Sequence, residues 1–327
     1  MQEIPERVFE LDAEQEVERI GCFMREALAR MHKRGVVLGL SGGVDSSVCA
    51  ALAVRALGER RVVALLMPER ESAAQATGLG EQVAHRLGVR CVREDITPAL
   101  NALGCYARRD DAMREVFPDY GSDWQSKLAI AEGAAGRLHF FDLVVRDPHG
   151  REQRRRLPLQ AYLRIVASTN FKQRVRKNLE YFHADSMNYA VLGTPNRLEF
   201  DQGFFVKNGD GAADLKPIAH LYKTQVYALA RYLELPREVC DAVPTTDTYS
   251  LSQGQDEFYF ALPWVHMDLA MWARDHGIEV ECLARTIGVS EEQAQRVYAD
   301  IDAKRHATAY LHMPPLRVPD APDGGSR

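Results

Sequence analysis

Nothing in the 327-residue chain predicts a membrane-spanning helix, because no run of about eighteen apolar residues occurs anywhere in it. The opening residues, MQEIPERVFELDAEQE, are acidic from the third position, unlike a secretory or organellar leader, so the expected location is cytoplasmic. Positive charge is not in excess either. The 41 Lys and Arg face 46 Asp and Glu, a formal net charge of −5, and neither nucleic acid nor an anionic membrane is an expected partner. The six cysteines (Cys22, Cys49, Cys91, Cys105, Cys240 and Cys282) form no C-x-x-C pair and no zinc, iron–sulfur or disulfide ladder, and are expected as buried thiols in a reducing compartment. No internal repeat and no long low-complexity tract is present.

What the chain does have is a succession of apolar patterns. Val17, Ile20, Phe23, Met24, Leu28 and Met31 recur at helical spacing and predict an amphipathic helix over residues 13–34. VVLGL (36–40) reads as a buried strand, and a helix follows that ends at Gly58. VVALLM (62–67) reads as a second strand, followed by a helix ending in HRLG and by a third strand in VRCVREDI. This β-α-β-α-β order predicts an α/β fold: a doubly wound, mostly parallel sheet with helices on both faces and its ligand at the carboxyl ends of the strands. Residues 184–194 read as a helix end feeding another buried strand. Residues 221–236 read as a helix with Leu221, Val226, Leu229, Ala230 and Leu233 inward and Pro236 as its stop. From about 105 to 165, turn signals at PDYG and DPHG flank alternating segments and predict an inserted β-hairpin, on which Arg151, Arg154, Arg155 and Arg156 form a solvated face. Residues 1–313 are expected as a single domain and 314–327, rich in Pro, Gly and charge, as a flexible tail.

The strongest local signal is GLSGGVDSS, residues 39–47, between a strand and a helix. Paired glycines let the backbone approach an oxyanion, and the helix that follows offers unpaired N–H groups and the positive end of its dipole. The pattern is neither G-x-x-x-x-G-K-[ST] nor G-x-G-x-x-G. Ser41, Ser46 and Ser47 can add hydroxyl donors, and Asp45 can hold magnesium bound to phosphates.

SGGVDS resembles the PP-motif of the N-type ATP pyrophosphatases, enzymes with an adenine nucleotide alpha hydrolase-like fold that split ATP into AMP and pyrophosphate. GMP, asparagine and argininosuccinate synthetases, tRNA thiolases and NAD synthetases share it. TNFKQRVR (169–176), GTPNRLEFDQGFFVKNGDGAADLKPIAHLYKTQV (193–226) and VPTTD (243–247) resemble the NAD synthetase family in order and spacing. The resemblance, over roughly residues 15–97 and 169–250, implies ATP-dependent amidation of nicotinic acid adenine dinucleotide by ammonia through an adenylated carboxylate. By motif position it implies ATP contacts at Gly39, Leu40, Ser41, Gly42, Gly43, Val44, Asp45, Ser46, Thr194, Lys223 and Thr245, with magnesium on Asp45 and Glu199. Arg174, Lys207, Asp214 and Lys304 match dinucleotide-binding positions, and Asp45, Lys223 and Asp214 are the candidate catalytic residues. A homodimer is implied as well.

Two features depart from that family. The His-Lys-Arg segment expected near the C-terminus is here Ala303, Lys304 and Arg305, and the 105–165 insertion has no counterpart. The insertion could cover the site, extend a dimer interface or receive an ammonia-donating protein. Fewer than forty residues precede Gly39, too few for a glutaminase, so ammonia is expected from solution or from a separate protein. Competing readings are a ligase of the same chemistry acting on another carboxylate, a non-catalytic nucleotide-binding paralogue, and a tRNA thiolase. The last would need paired catalytic cysteines and a basic RNA face.

Overall fold

A computed structural model describes residues 4–5, 7–130, 141–244, 249–251, 254, 259–260 and 262–318. The first half runs α1 (Ala13–Arg30), β1 (Val36–Gly39), α2 (Val44–Leu57), β2 (Val62–Leu66), α3 (Ala74–Leu87), β3 (Arg90–Arg93), α4 (Thr97–Ala102) and α5 (Cys105–Arg114). A second group, β4 (Gln125–Ile130), β5 (Phe141–Arg146) and β6 (Glu152–Arg156), precedes the 29-residue α6 (Leu159–Met187). The chain then forms β7 (Ala190–Val191), α7 (Arg197–Gln202), α8 (Lys223–Tyr232), α9 (Arg237–Cys240), α10 (Trp264–Asp275), α11 (Val280–Ile287) and α12 (Glu291–His312).

The main sheet is parallel, in the order β3-β2-β1-β7, with Val36 opposite both Val62 and Ala190. Period-two alternation sends Val36, Leu38, Ala64 and Leu66 into a core shared with α1, α2 and α8, and Val37, Val63 and Leu65 into a second core that includes Val175 and Ala184 of α6. Both faces are therefore covered, which is why these strands read as unbroken apolar runs. Strand order reverses between β1 and β7. The loops leaving their carboxyl ends part there, and the crevice between them is where an open α/β sheet takes its ligand.

Several elements are as the pattern predicts. Asp12 caps α1 through the Gln15 amide (3.0 Å), and Gly58 closes α2 at φ +84°. Phe23 is the exception on α1: Val17, Ile20, Met24 and Leu28 form the buried stripe, and Phe23, one position and about 100° of helix off it, is 49% exposed. The cysteines divide: Cys49, Cys105, Cys240 and Cys282 are buried, whereas Cys22 and Cys91 are exposed, and all six are free. Leu221 precedes α8, and Leu233 is only partly buried.

The 105–165 insertion is more than a hairpin. It is a three-stranded antiparallel sheet, β4-β5-β6, with helix on both sides of it. Cys105, Tyr106, Arg109, Ala112 and Met113 are buried at three- and four-residue spacing, so α5 is a helix inside the stretch expected as a hairpin. The helix α6 starts immediately after Pro158, which supplies its N-cap, and Ala161 and Ile165 pack inward one turn apart. Of the four arginines on the expected solvated face, Arg154 is paired with Asp142 (2.7 Å), and Arg155 lies over the Phe117 ring and donates to the Val116 carbonyl. Among the described residues no helix is long and apolar enough to cross a membrane.

Candidate active site

The loop after β1 is built by close packing. Leu40 makes the last ladder hydrogen bond, to the Leu65 carbonyl (2.9 Å), and the chain then turns through Gly42 at φ +84°. A Cβ on Gly42 would sit 2.3 Å from the Ala76 carbonyl oxygen, and one on Gly80 of α3 would meet Leu66 at 2.7 Å and the Leu40 carbonyl at 3.0 Å. Glycine at both positions lets α3 press against the loop. Gly43 begins α2 without any side-chain cap, so the first N–H groups of the helix are free of a capping competitor. The hydroxyls of Ser46 and Ser47 donate to the Gly43 carbonyl (3.1 and 2.8 Å), and Ser46 Oγ also accepts from the Ser41 amide (3.3 Å). These two buried serines shape the turn; Ser41 and Gly43 are the exposed members of the cradle.

Asp45, in the first turn of α2, faces the loop after β7. One carboxylate oxygen accepts from Asn196 Nδ2 (3.0 Å) and the other from Lys223 Nζ. Asn196 is the N-cap of α7 and forms a capping box with Glu199: Asn196 Oδ1 accepts from the Glu199 amide (3.1 Å), while Glu199 Oε2 accepts from the Asn196 amide (3.3 Å). Lys223, 2% exposed, opens α8. Burial opposes its charge, but the carboxylates of Asp45 and Glu199 outweigh burial and hold it well above the ordinary lysine value. Lys223 is thus a fixed cation at the switch point. Thr194, half-buried, follows the bridge by which Leu192 pairs with Leu215 and stands on the same loop as Asn196.

Among the described residues no group of three or more His, Cys, Asp or Glu could hold a metal alone. Asp45 and Glu199, in the first turns of α2 and α7, are two hard oxygen donors, a set that would suit magnesium with phosphate oxygens and water as its further ligands.

The dinucleotide candidates fall elsewhere. Arg174 is exposed on α6, and its Nε donates to the Lys207 carbonyl (3.3 Å). Lys207 Nζ reaches the carbonyls of Tyr310 and Met313 (2.7 and 3.2 Å) at the end of α12. The carboxylate of Asp214 accepts from the Val191 amide (2.7 Å) and the Tyr181 hydroxyl (3.4 Å), so it ties β7 to α6 and makes no bond to Asp45 or Lys223. Lys304 is buried on α12 and donates to the Tyr259 carbonyl (2.5 Å) and Asp300 (2.6 Å). Burial pushes its pKa down. Thr245 lies outside the described residues.

Sequence reading missed three groups. Asn196 had a local signal, the N-x-x-E capping box ahead of Leu198. Asp268 had none: from α10, 45 positions beyond Lys223, it accepts from the Lys223 amide (3.3 Å) and from the amide and hydroxyl of Thr224 (2.8 Å each), and burial raises its pKa to about 6. The third is a buried ionic network. Lys172 of α6 bridges Glu69 (2.8 Å) and Glu71 (2.7 Å), and Arg109 of α5 bonds both Glu71 (2.6 Å) and Asp110 (2.9 Å). Burial alone would raise Glu71, but Arg109 and Lys172 bring it down to about 2.

A parallel α/β sheet with a backbone cradle at its switch point, a buried lysine and two carboxylates opposite defines a nucleotide-handling protein that works on phosphate. The chain belongs to the NAD synthase family, whose model matches residues 16–116 and 152–310. It is 54% identical to the NH(3)-dependent NAD(+) synthetase of Rhizobium meliloti over 94% of this chain and 92% of that protein. The NH(3)-dependent NAD(+) synthetase of Thermotoga maritima is 35% identical over 77% and 84%. Among solved structures, the NH3-dependent NAD synthetase of Campylobacter jejuni superposes at TM-score 0.62 with 23% identity, over 94% of this chain and all of that one. The NMN synthetase of Francisella tularensis gives 0.65 at 21% identity, over 95% and 100%. The family match leaves out 117–151, which contains β4 and β5.

Proposed function

We propose that this chain is an ammonia-dependent NAD synthetase, a ligase that joins ammonia to the carboxylate of nicotinic acid adenine dinucleotide at the expense of ATP. A carboxylate is unreactive to ammonia because its oxygen leaves poorly. In the first step that oxygen attacks the α-phosphorus of ATP and pyrophosphate departs. In the second, ammonia attacks the carbonyl carbon and AMP departs with the oxygen, which gives NAD. Negative charge grows on phosphate oxygens in the first step, and fixed cations and N–H donors aimed there lower its barrier. The observation that carries the reading is Lys223, held charged against Asp45 beside the uncapped start of α2, in segments that all lie inside the family match.

Magnesium on Asp45 and Glu199, with Thr194 and Thr245 as further ATP contacts, fits the donor set; bound there, the ion would neutralise charge on the leaving pyrophosphate. On the dinucleotide side, Arg174 and Lys207 supply cations and Asp214 a hydrogen-bond acceptor. Lys304 would act through Tyr259 or swing from it to substrate. Residues 1–313 would work as one catalytic domain in the cytoplasm, with a tail from 314. A homodimer is supported by the stripe of α6 on which Leu159 (67% exposed), Leu163 (48%), Ala167 and Arg174 follow one another at helical spacing. A second copy covering that stripe would bring Arg174 into the interface.

The test is a product assay with ATP, ammonium and, side by side, nicotinic acid adenine dinucleotide, nicotinic acid mononucleotide and other carboxylates. AMP and pyrophosphate should appear in equal amounts only with the dinucleotide. Release of AMP with another acid and none with the dinucleotide would overturn the assignment.

A further inference from the structure

The helix that presents Lys223 starts without a cap of its own. Tyr222 stands at the N-cap of α8, where Ser, Thr, Asp or Asn would serve, and its ring packs instead on Phe9 (4.8 Å) and under the Arg197 guanidinium (4.5 Å). The amides of Lys223 and Thr224, the first two of the helix, therefore need acceptors from elsewhere. Asp268 supplies both. Its Oδ2 accepts from the Thr224 amide and hydroxyl (2.8 Å each), and its Oδ1 accepts from the Lys223 amide (3.3 Å).

The cap comes from a different part of the fold. The helix α8 packs Val226, Leu229 and Ala230 into the core shared with the main sheet, whereas α10 packs Met267, Ala270 and Met271 into a separate core with α11 and α12. Lys223 lies on the seam: its amide is held by Asp268 of α10 and its ammonium by Asp45 of α2. Its side chain is buried and has little room to change rotamer, so a shift in the first turn of α8 passes on to Nζ. An acid is also a costly cap at this place. Asp268 is fully buried, and burial raises its pKa to about 6, so near neutral pH the fold carries the charge against that cost. A neutral asparagine would avoid the cost, but with its oxygen kept toward Thr224 its NH2 group would meet the Lys223 amide N–H. A carboxylate offers an acceptor to each.

We infer that Asp268 is a positioning residue for the reaction, which anchors the Lys223 backbone so that its ammonium stays on Asp45 at the switch point. This rests on the function proposed above. It gives the unit of α10, α11 and α12 a part in the chemistry, through one side chain, beyond its own packing. Because a displaced Lys223 fails the charge that grows in the adenylation step, loss of the anchor should lower kcat more than it raises KM for either substrate.

The test uses the full chain with Asp268→Asn and Asp268→Ala, and with Met271→Ala, further along α10 in the same core, as a control for general weakening. All are assayed well below their melting temperatures. Asp268→Asn should melt near the wild type yet lose about three- to tenfold in kcat, and Asp268→Ala should lose about ten- to hundredfold. Met271→Ala should melt lower, with kcat within about twofold of wild type. Wild-type kcat in Asp268→Asn, or an equal loss in Met271→Ala, would overturn the inference. A second readout needs no turnover: the nitrogen-15 signal of the Lys223 ammonium, assigned by its absence from Lys223→Arg, should shift in Asp268→Asn and stay in place in Met271→Ala. If the wild-type protein releases no AMP with the dinucleotide, the functional reading fails by itself, and that signal alone decides the anchor; an unmoved signal in Asp268→Asn would overturn it.

Discussion

At the scale of single residues, the site depends on charges that cannot be removed one at a time. Lys223 is buried between carboxylates, so Lys223→Met should cost about 3–5 kcal/mol of stability as well as activity, read by urea unfolding alongside the AMP assay. Asp45→Asn keeps the shape and the Asn196 contact but leaves the buried Lys223 without its bonded counter-charge, so kcat should fall by about 10²–10³ and stability should fall with it. Two buried acids act in opposite directions with pH. Glu71 is held at about 2, below its ordinary 4.5, so its stabilising contribution is complete above 4.5 and is lost as pH falls toward 2. Asp268 is raised to about 6 from 3.8, so its contribution is complete below 3.8 and is lost as pH rises through 6. Thermal unfolding of Lys172→Met should show a smaller loss of stability between pH 4.5 and 2 than in the wild type, because Glu71, without that counter-charge, titrates nearer its ordinary value. An unchanged acid limb would show that Lys172 does not govern Glu71. The cradle glycines, Asp45 and Asn196 carry local signals in the sequence, because capping and turn chemistry act over a few residues. Asp268 and the pairing of Lys172 with Glu69 do not, because partners 45 and 103 positions apart meet only through the fold.

At the scale of elements, the loop after β1 is fixed by contact with α3. Gly42→Ala places a methyl group 2.3 Å from the Ala76 carbonyl oxygen at a φ that side chains avoid. It should cost about 1–3 kcal/mol and shift the cradle, raising KM for ATP. Wild-type KM and melting temperature in that variant would mean the loop tolerates the displacement. The strands β1 and β2 of the main sheet were readable because burial on both faces writes a continuous apolar run, Val36 to Leu38 and Val62 to Leu66. The long α6 was not. Its buried positions include Ser168, Thr169, Lys172 and Lys177, polar groups that a hydrophobic pattern does not count and that are buried because ion pairs and backbone carbonyls take their donors. The insertion showed its turns and its alternation, but two strands and three look alike until partners are assigned.

At the scale of the molecule, the exposed stripe of α6 joins Leu159 and Leu163 to Arg174, so assembly and dinucleotide binding should be linked. Leu163→Glu should yield monomers by analytical ultracentrifugation and raise KM for the dinucleotide more than KM for ATP; a dimer that persists with unchanged constants would remove α6 from the interface. The whole reading comes down to whether one substrate oxygen is handed to the nucleotide. Nicotinic acid adenine dinucleotide labelled with heavy oxygen in its carboxylate, turned over with ATP and ammonia, permits that to be followed by phosphorus NMR of the AMP formed. Transfer through an adenylated carboxylate places one labelled oxygen in AMP for each NAD released. AMP without label, or label in pyrophosphate, would contradict it.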